Sequence, residues 1–146
     1  MNYWIFVATE YNDYNYGINE IIRKLVIEHL WLIGKRTGYR NQLKKGDKAI
    51  IYLSGKQGKF IAKTNIYSAF KIEPSSIFGY IKVYKTVVFD NYVPIKPLIY
   101  KLKFIKNKDY WSIYFQNGII KINKDDYDLI VDYAFKKHRL ELEKII

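Results

Sequence analysis

Short runs of β-branched and aromatic residues, separated by turn residues, recur along most of this chain and constrain its fold more than any other feature. Gly79 to Phe89 is the clearest case, since its side chains alternate in a way typical of a strand. The same propensities predict further strands at Tyr3–Thr9, Lys48–Leu53, Lys59–Ile72, Trp111–Phe115 and Ile119–Ile122, with a short extended piece at Val93–Ile95.

Two segments have helical periodicity, one near each end of the sequence. Between Ile18 and Leu30 the apolar residues recur at spacings of three and four, which places them on one helix face. Near the other end, Asn123 precedes Asp125 and Asp126, a pattern typical of a capped helix start. Strands flanked by helices predict an α+β fold, a curled sheet or small barrel of about six strands, in one domain of 146 residues.

The stretch from Trp31 to Ser54 combines three unlike segments. A loop predicted over residues 31–45 contains five cations, with Tyr39 and Asn41 among them: Lys35, Arg36, Arg40, Lys44 and Lys45. A turn at Gly46–Asp47 then leads into the second strand. Aromatic rings stack on bases, amides bond to base edges and cations contact phosphates, so this loop is suited to nucleic acid. The alternative is an ordinary loop with a solvated run of charges.

The charge of the chain points to an anionic partner. Its net charge is +11, and aromatic residues make up 18% of it, including 15 tyrosines. A positive field of this size attracts polyanions, whether nucleic acid, anionic lipid or an acidic protein. No apolar run approaches the roughly 18 residues of a membrane span, and the first residues lack the features of a signal peptide. We therefore expect no membrane partner and a cytoplasmic location.

The residues that usually carry catalysis are missing or scattered. The chain has no cysteine, which excludes disulfides, thiol catalysis and cysteine zinc sites. His29 and His138 are far apart, and neither has the spacing of a metal-ligand set. Gly34 and Gly38 lack the Gly-Lys-Ser/Thr ending of a phosphate-binding loop, and no Gly-x-Ser-x-Gly occurs. The sequence predicts no enzyme, no metal and no cofactor.

Two tryptophans stand beside basic, polar segments. Trp31 precedes the cationic loop, and Trp111 follows Lys106, Asn107 and Lys108. This arrangement suggests two walls of one pocket. Core tryptophans at the ends of a helix and a strand are the alternative, and the sequence pattern by itself favours them slightly.

Several segments spread over nearly the whole chain resemble EVE domains, which belong to the PUA-like superfamily and are related to YTH domains. The segments that carry the resemblance are Tyr3–Ile5, Trp31, Asn41–Leu43, Lys45–Tyr52, Pro97–Ile99, Leu102–Lys108, Trp111–Ser112 and Asp126–Ile130. The resemblance implies a PUA-like curved β-barrel with flanking helices. It also implies recognition of a modified base in DNA or RNA inside an aromatic pocket.

Carried over by position, the resemblance implies a set of pocket residues. Trp31 would be one wall and Asn41 a hydrogen-bonding or loop-fixing residue, while Asn107 and Trp111 would border the pocket from the other side. Tyr52 and Ser54 would complete its floor. We expect phosphate contacts from the basic residues Lys35, Arg36, Arg40, Lys106 and Lys108. The alternatives are a binder of structured RNA that ignores modification, a hidden nuclease or base-modifying hydrolase, and a protein that binds the membrane surface.

Overall fold

The computed structural model describes residues 1–9, 17–55 and 58–145, with the side chains of all of these except Thr9 and 137–145. Within these ranges there are seven strands: β1 (Tyr3–Thr9), β2 (Leu30–Gly34), β3 (Lys48–Ser54), β4 (Lys59–Ile66), β5 (Lys71–Ile72), β6 (Phe78–Pro94) and β7 (Ile119–Ile122). The helices are α1 (Ile18–Arg23), which continues into a π-helical segment Lys24–Glu28, and α2 (Lys124–Ile145). Short 3₁₀ segments span Arg40–Gln42, Lys96–Leu98 and Lys108–Gln116.

The strands form one curved sheet in the order β2-β6-β4-β3-β1-β7, with β5 also paired to β6. The sheet curves because the 17-residue β6 pairs with β2 at one end and with β4 along the rest, where the register shifts twice. Among the described strands only β1 and β3 pair in parallel, and they finish together, with Thr9 beside Ser54. The predicted α+β fold, a curved sheet with flanking helices, is confirmed.

Alternate residues of β1 belong to two separate apolar clusters on the two faces of the sheet. Ile5 packs in a cluster with residues of α2 and with Phe115. Trp4 and Phe6 pack in a second cluster with Leu25 and neighbouring residues from the α1 side. Because both faces are covered, the central strand β3 has five consecutive buried residues, from Ala49 to Leu53. Each large apolar side chain buried in this way stabilises the fold by about 1.5–3 kcal/mol.

The C-terminal helix begins as its sequence predicts. The Asn123 side-chain oxygen accepts a hydrogen bond from the Asp126 amide at 2.9 Å, which caps the first turn. The buried Asp126 carboxylate in turn accepts the backbone N–H groups of Lys103 and Phe104 at 2.8 and 2.9 Å. One carboxylate therefore fixes the segment that follows β6 to the start of α2.

Three of the elements predicted from the sequence differ from those in the structure. The strand predicted at Trp111–Phe115 lies within the 3₁₀ segment Lys108–Gln116. Trp111 and Phe115 are four residues apart and pack together, with ring centroids separated by 6.1 Å, so the helical spacing places the half-buried Trp111 ring against the buried Phe115 ring. The single long strand predicted at Lys59–Ile72 is instead divided into β4 and β5. The turn predicted at Asp90–Asn91 is part of β6, which also takes in most of the extended piece.

The first helix is shorter than its apolar spacing predicts. It ends at His29, which adopts a left-handed conformation at φ 57° and donates its amide to the Lys24 carbonyl. Leu30 then starts β2, so Trp31 lies in a strand and not in the predicted loop. The predicted link Asn12–Gly17 and turn Ser54–Gly58 lie partly outside the described residues. Over the ranges described, no helix is both long and apolar enough to cross a membrane.

Candidate functional site

Two cavities adjoin at the end of β1, where the parallel strands β1 and β3 finish side by side. Both are bordered by Val7 and Gly118. The Val7 amide donates a hydrogen bond to the Gly118 carbonyl at 2.9 Å, which holds the turn before β7 against β1. Since Val7 and Gly118 border both cavities, a ligand at this end of the sheet can contact both.

The first, which we call the Trp31 cavity, has a volume of about 280 Å³ and lies between β1, α1 and β2. Trp31 is half-buried and stacks on Phe6, with centroids 5.8 Å apart and ring planes inclined by 14°. Apart from Lys24 and Thr37 the lining is apolar: Val7, Ala8, Ile21, Leu30, Leu32, Ile33, Gly34, Phe78, Gly118 and Ile119. This cavity offers a flat apolar surface and few polar partners.

The second, the Trp111 cavity, has a volume of about 420 Å³ and combines aromatic with polar groups. Tyr52 stacks on Phe115 with centroids 4.0 Å apart, and Trp111 meets Phe115 edge-on. Polar side chains complete the lining: Ser54, Ser112, Gln116 and Asn117. The Ser54 hydroxyl lies at the strand end, where it donates to the Ala8 carbonyl at 3.2 Å. An aromatic wall beside convergent polar groups is typical of a ligand site.

The Tyr52 hydroxyl is held in place by a close backbone approach. A Cβ on Gly58 would lie 1.7 Å from it, so only glycine fits beside this ring. The Tyr52 side chain is 2% exposed and lines the Trp111 cavity. Burial raises the pKa of Tyr52 to about 12. The hydroxyl therefore stays protonated at neutral pH and can donate to a ligand.

The raised pKa predicts a loss of stability in alkali. A tyrosine whose folded pKa is about 12 and whose ordinary value is 10 favours the folded state below pH 10, and this contribution is lost as pH rises towards 12. We expect Tyr52→Phe to lose less stability than the wild type between pH 9 and pH 11.5. Urea unfolding at the two pH values measures this, and equal losses in both proteins would contradict it. Tyr127→Phe is the matched comparison, because burial raises the pKa of Tyr127 to about 12 as well.

Trp31 and Trp111 belong to clusters on opposite faces of the sheet. They line neighbouring cavities that adjoin at the end of β1, and the structure does not place them as facing walls of one pocket. Trp111, Tyr52 and Ser54 do come together, as the family resemblance implies. Phe115 and Asn117 also line this cavity and are not among the predicted site residues, although Asn117–Gly118 is a residue pair typical of turns.

Asn41 and Asn107 line neither cavity. Asn41 is exposed in the 3₁₀ segment Arg40–Gln42, and its neighbour Arg40 donates to the Thr37 carbonyl at 2.9 Å. Because Thr37 borders the Trp31 cavity, this bond fixes the loop at the cavity edge. Asn107 is also exposed, and its backbone amide donates to the Tyr114 hydroxyl at 3.0 Å. Both amides therefore lie on segments that flank the cavities.

The five predicted phosphate-binding residues differ in how free they are. The Lys108 ammonium donates to the Leu102 carbonyl at 2.6 Å, so it fixes its own loop, as Arg40 does. Arg36 and Lys106 are exposed and Lys35 is half-buried, and none of the three forms an ion pair with a carboxylate in the described ranges. Arg36 and Lys106 are thus the cations most available to a phosphate.

The described acidic and histidine side chains do not gather into a metal site. No group of three or more His, Asp or Glu residues able to hold an ion occurs in the part of the chain that is described. The buried carboxylates Asp47 and Asp126 are instead occupied by backbone and indole N–H groups. These contacts explain both carboxylates as structural groups.

A curved sheet with a helix against each face, open to two aromatic cavities where β1 and β3 end, defines the PUA-like class that the sequence resemblance implies. Within that class the chain belongs to the EVE domain family, whose pattern matches residues 2–133. It is 26% identical over 152 aligned positions to UPF0310 protein PH1033 of Pyrococcus horikoshii, an alignment that covers 89% of this chain and 97% of the relative.

Solved structures have the same fold at low sequence identity. The crystal structure of human THYN1 in complex with 5-methylcytosine-containing DNA superposes with a TM-score of 0.67 at 13% identity, covering 92% of this chain and 98% of that one. The N-terminal domain of Staphylothermus marinus McrB has a TM-score of 0.59 at 13% identity, with 89% and 93% covered.

Proposed function

We propose that this protein is a non-enzymatic nucleic-acid-binding module that takes a modified or flipped base at the end of β1. The observation that carries the proposal is the pair of adjoining cavities, each with a tryptophan, in an EVE domain of net charge +11. The similarity to THYN1, whose structure holds methylcytosine DNA, supports the proposal.

The Trp31 cavity is largely apolar and the Trp111 cavity combines aromatic with polar groups, and this pair suits a base that carries a methyl group. Stacking on an aromatic ring is worth about 1–3 kcal/mol per base, and burial of one methyl adds roughly 0.8 kcal/mol. Base edges also need hydrogen-bond partners, which Ser54, Asn117 and the Tyr52 hydroxyl can supply in the Trp111 cavity. The apolar Trp31 cavity beside them is suited to a methyl group or to the second face of the ring.

The basic surface offsets the cost of exposing a base. Extrusion of a base from a duplex costs a few kcal/mol, which stacking and methyl burial only just match. Phosphate contacts release counterions and supply a further favourable term that weakens as salt increases. The exposed cations Arg36 and Lys106 flank the site and would make such contacts.

A binding titration at fixed salt tests the proposal. Short oligonucleotides would carry 5-methylcytosine, 5-hydroxymethylcytosine, N6-methyladenine or no modification, each in DNA and in RNA. We expect one modified base to bind at least tenfold more tightly than its plain counterpart, a difference of about 1.4 kcal/mol.

One control variant and two contrary outcomes distinguish the proposal from its alternatives. Lys106→Gln should weaken modified and plain oligonucleotides alike and flatten the salt dependence, because a phosphate contact does not distinguish bases. Tight binding of folded RNA without regard to modification would instead indicate a structured-RNA binder. Turnover of any oligonucleotide with a divalent metal would indicate a nuclease, and either result would overturn the proposal.

A further inference from the structure

A second arrangement of cations and aromatic rings lies at the other end of the sheet. It consists of Lys45, Tyr67, Tyr84 and Lys85, which we call the lysine–tyrosine cluster. Tyr67 and Tyr84 meet edge-to-face with centroids 5.6 Å apart. The Lys45 ammonium lies 4.7 Å from the Tyr67 centroid, and the Lys85 ammonium lies 5.8 Å from the Tyr84 centroid. The four side chains thus form a row with a cation at each end.

The backbone at Lys85 is strained. Its φ of 53° is in the left-handed region, which long side chains rarely occupy. The cause is a bulge, since Lys63 pairs with Val87 and Asn65 with Tyr84, leaving Lys85 and Thr86 opposite Thr64. Thr64 is buried, and its hydroxyl contacts the Tyr84 carbonyl at 3.3 Å and the Thr86 hydroxyl at 2.7 Å. Glycine would relieve the strain, yet the chain has an exposed lysine there.

The ends of the cluster are available to a ligand. Tyr67 is 50% exposed, and Lys45 and Lys85 are exposed as well. Neither lysine forms an ion pair with a carboxylate of the described chain, although each ammonium has three N–H donors. Lys82, two residues before Tyr84 on β6, and Lys48, at the start of β3, lie nearby and increase the positive charge. The surface is therefore complementary to a polyanion that also offers flat rings.

The cluster is too far from the cavities to belong to the same site. Tyr84 pairs with Asn65, which pairs with Lys48 at the start of β3, whereas Ser54 at the end of β3 lines the Trp111 cavity. Six residue steps of a strand span about 20 Å. Stacked nucleotides rise about 3.4 Å each along one strand, so a strand that stays stacked needs about six nucleotides to contact both places.

We propose that the lysine–tyrosine cluster is a second contact surface for a single-stranded stretch of the nucleic acid whose base enters the cavities. Alternating cations and aromatic rings are how proteins hold single strands, through phosphates and stacked bases together. An acidic peptide would use the cations and leave the rings without a role. The inference rests on the proposed function for its ligand class.

Substitutions at Lys85 and Tyr67 distinguish a role in binding the single strand from a role in the stability of the fold. Lys85→Gly should raise the midpoint of thermal unfolding because the left-handed strain is removed, and it should weaken a 15-nucleotide single strand about fivefold. Its salt dependence should be shallower by roughly 0.7 in slope, corresponding to one lost phosphate contact. Tyr67→Ala should weaken the same strand by about fivefold or more through lost stacking. Lys85→Gln keeps the strain, and it should weaken binding without the gain in stability.

The length of the probe distinguishes the two surfaces. A trinucleotide with a central 5-methylcytosine is too short to reach the cluster, so all three variants should bind it like the wild type at low salt. Lys121→Gln, which removes a charge from the exposed part of β7, should change binding of the 15-nucleotide strand less than twofold.

Unchanged binding of the 15-nucleotide strand by Lys85→Gly and Tyr67→Ala would overturn the inference. Equal losses of affinity for the trinucleotide and for the 15-nucleotide strand would also overturn it. A wild type that binds acidic peptides or anionic vesicles more tightly than the strand would do the same. Failure of the proposed function looks different: methylated and plain strands would bind equally, while the cluster variants still weakened both.

Discussion

Replacing Asp47 with alanine is expected to lower the free energy of unfolding by about 3–5 kcal/mol. The Asp47 side chain is 3% exposed and accepts three hydrogen bonds. They come from the Asn2 amide at 3.0 Å, the Trp4 indole at 3.0 Å and the Lys44 amide at 3.1 Å. Alanine would leave these donors without their acceptor, the indole in a buried place and the two amides in part-buried ones, and each such loss costs about 1–3 kcal/mol. Since small domains are stable by only about 5–15 kcal/mol, this is a large share.

Urea unfolding followed by circular dichroism would measure the change. Asp132→Ala is the matched control, because Asp132 is exposed on α2, and we expect it to change stability by no more than about 0.5 kcal/mol. Trp4→Phe removes the indole donor together with part of a fully buried ring, so its cost reports the lost contact and the lost packing together. A loss below about 1 kcal/mol for Asp47→Ala would mean that the three contacts do not hold β1 to the turn before β3.

The Gly-Asp pair at Gly46–Asp47 shows how far sequence patterns go. Its type predicted a turn that opens β3, and Gly46 does have a positive φ of 94°. The aromatic and β-branched run of β1 and the apolar run of β3 predicted strands, and local propensity was sufficient for both. Nothing local indicated that the Asp47 carboxylate would be buried under Trp4, because that contact joins residues 43 positions apart.

The types of residue that line the candidate site could be predicted from the sequence, whereas their arrangement could be predicted only in part. Trp111, Tyr52 and Ser54, which the family resemblance implies for one pocket, all line the Trp111 cavity, where Ser54 ends β3 and Trp111 lies in the 3₁₀ segment Lys108–Gln116. The side of the sheet on which Trp31 lies depends on the residue at which α1 and its π-helical continuation end. His29 ends that helix in a left-handed conformation, which the apolar spacing of Ile18–Leu30 did not indicate.

Replacement of either tryptophan is expected to remove discrimination between a modified base and its plain counterpart. We expect the ratio of the two affinities to fall from tenfold or more to near one in Trp111→Ala, because a stacking surface worth about 1–3 kcal/mol is lost beside the polar lining. Tyr110→Ala is the matched control. Tyr110 precedes Trp111 in the same 3₁₀ segment, is 65% exposed and does not line the Trp111 cavity, so its ratio should stay at the wild-type value.

Trp31→Ala should have the same effect on the ratio but a larger one on stability, because its ring also stacks on Phe6. Trp31→Phe keeps an aromatic face against Phe6 and should retain part of the discrimination with little loss of stability. Titrations of methylated and plain oligonucleotides, with unfolding measured for each variant, separate the two effects. Equal losses for both ligands in Trp31→Ala and Trp111→Ala would mean that the rings serve general affinity. A lost ratio in only one variant would assign the base to that tryptophan's cavity, because the two rings lie on opposite faces of the sheet.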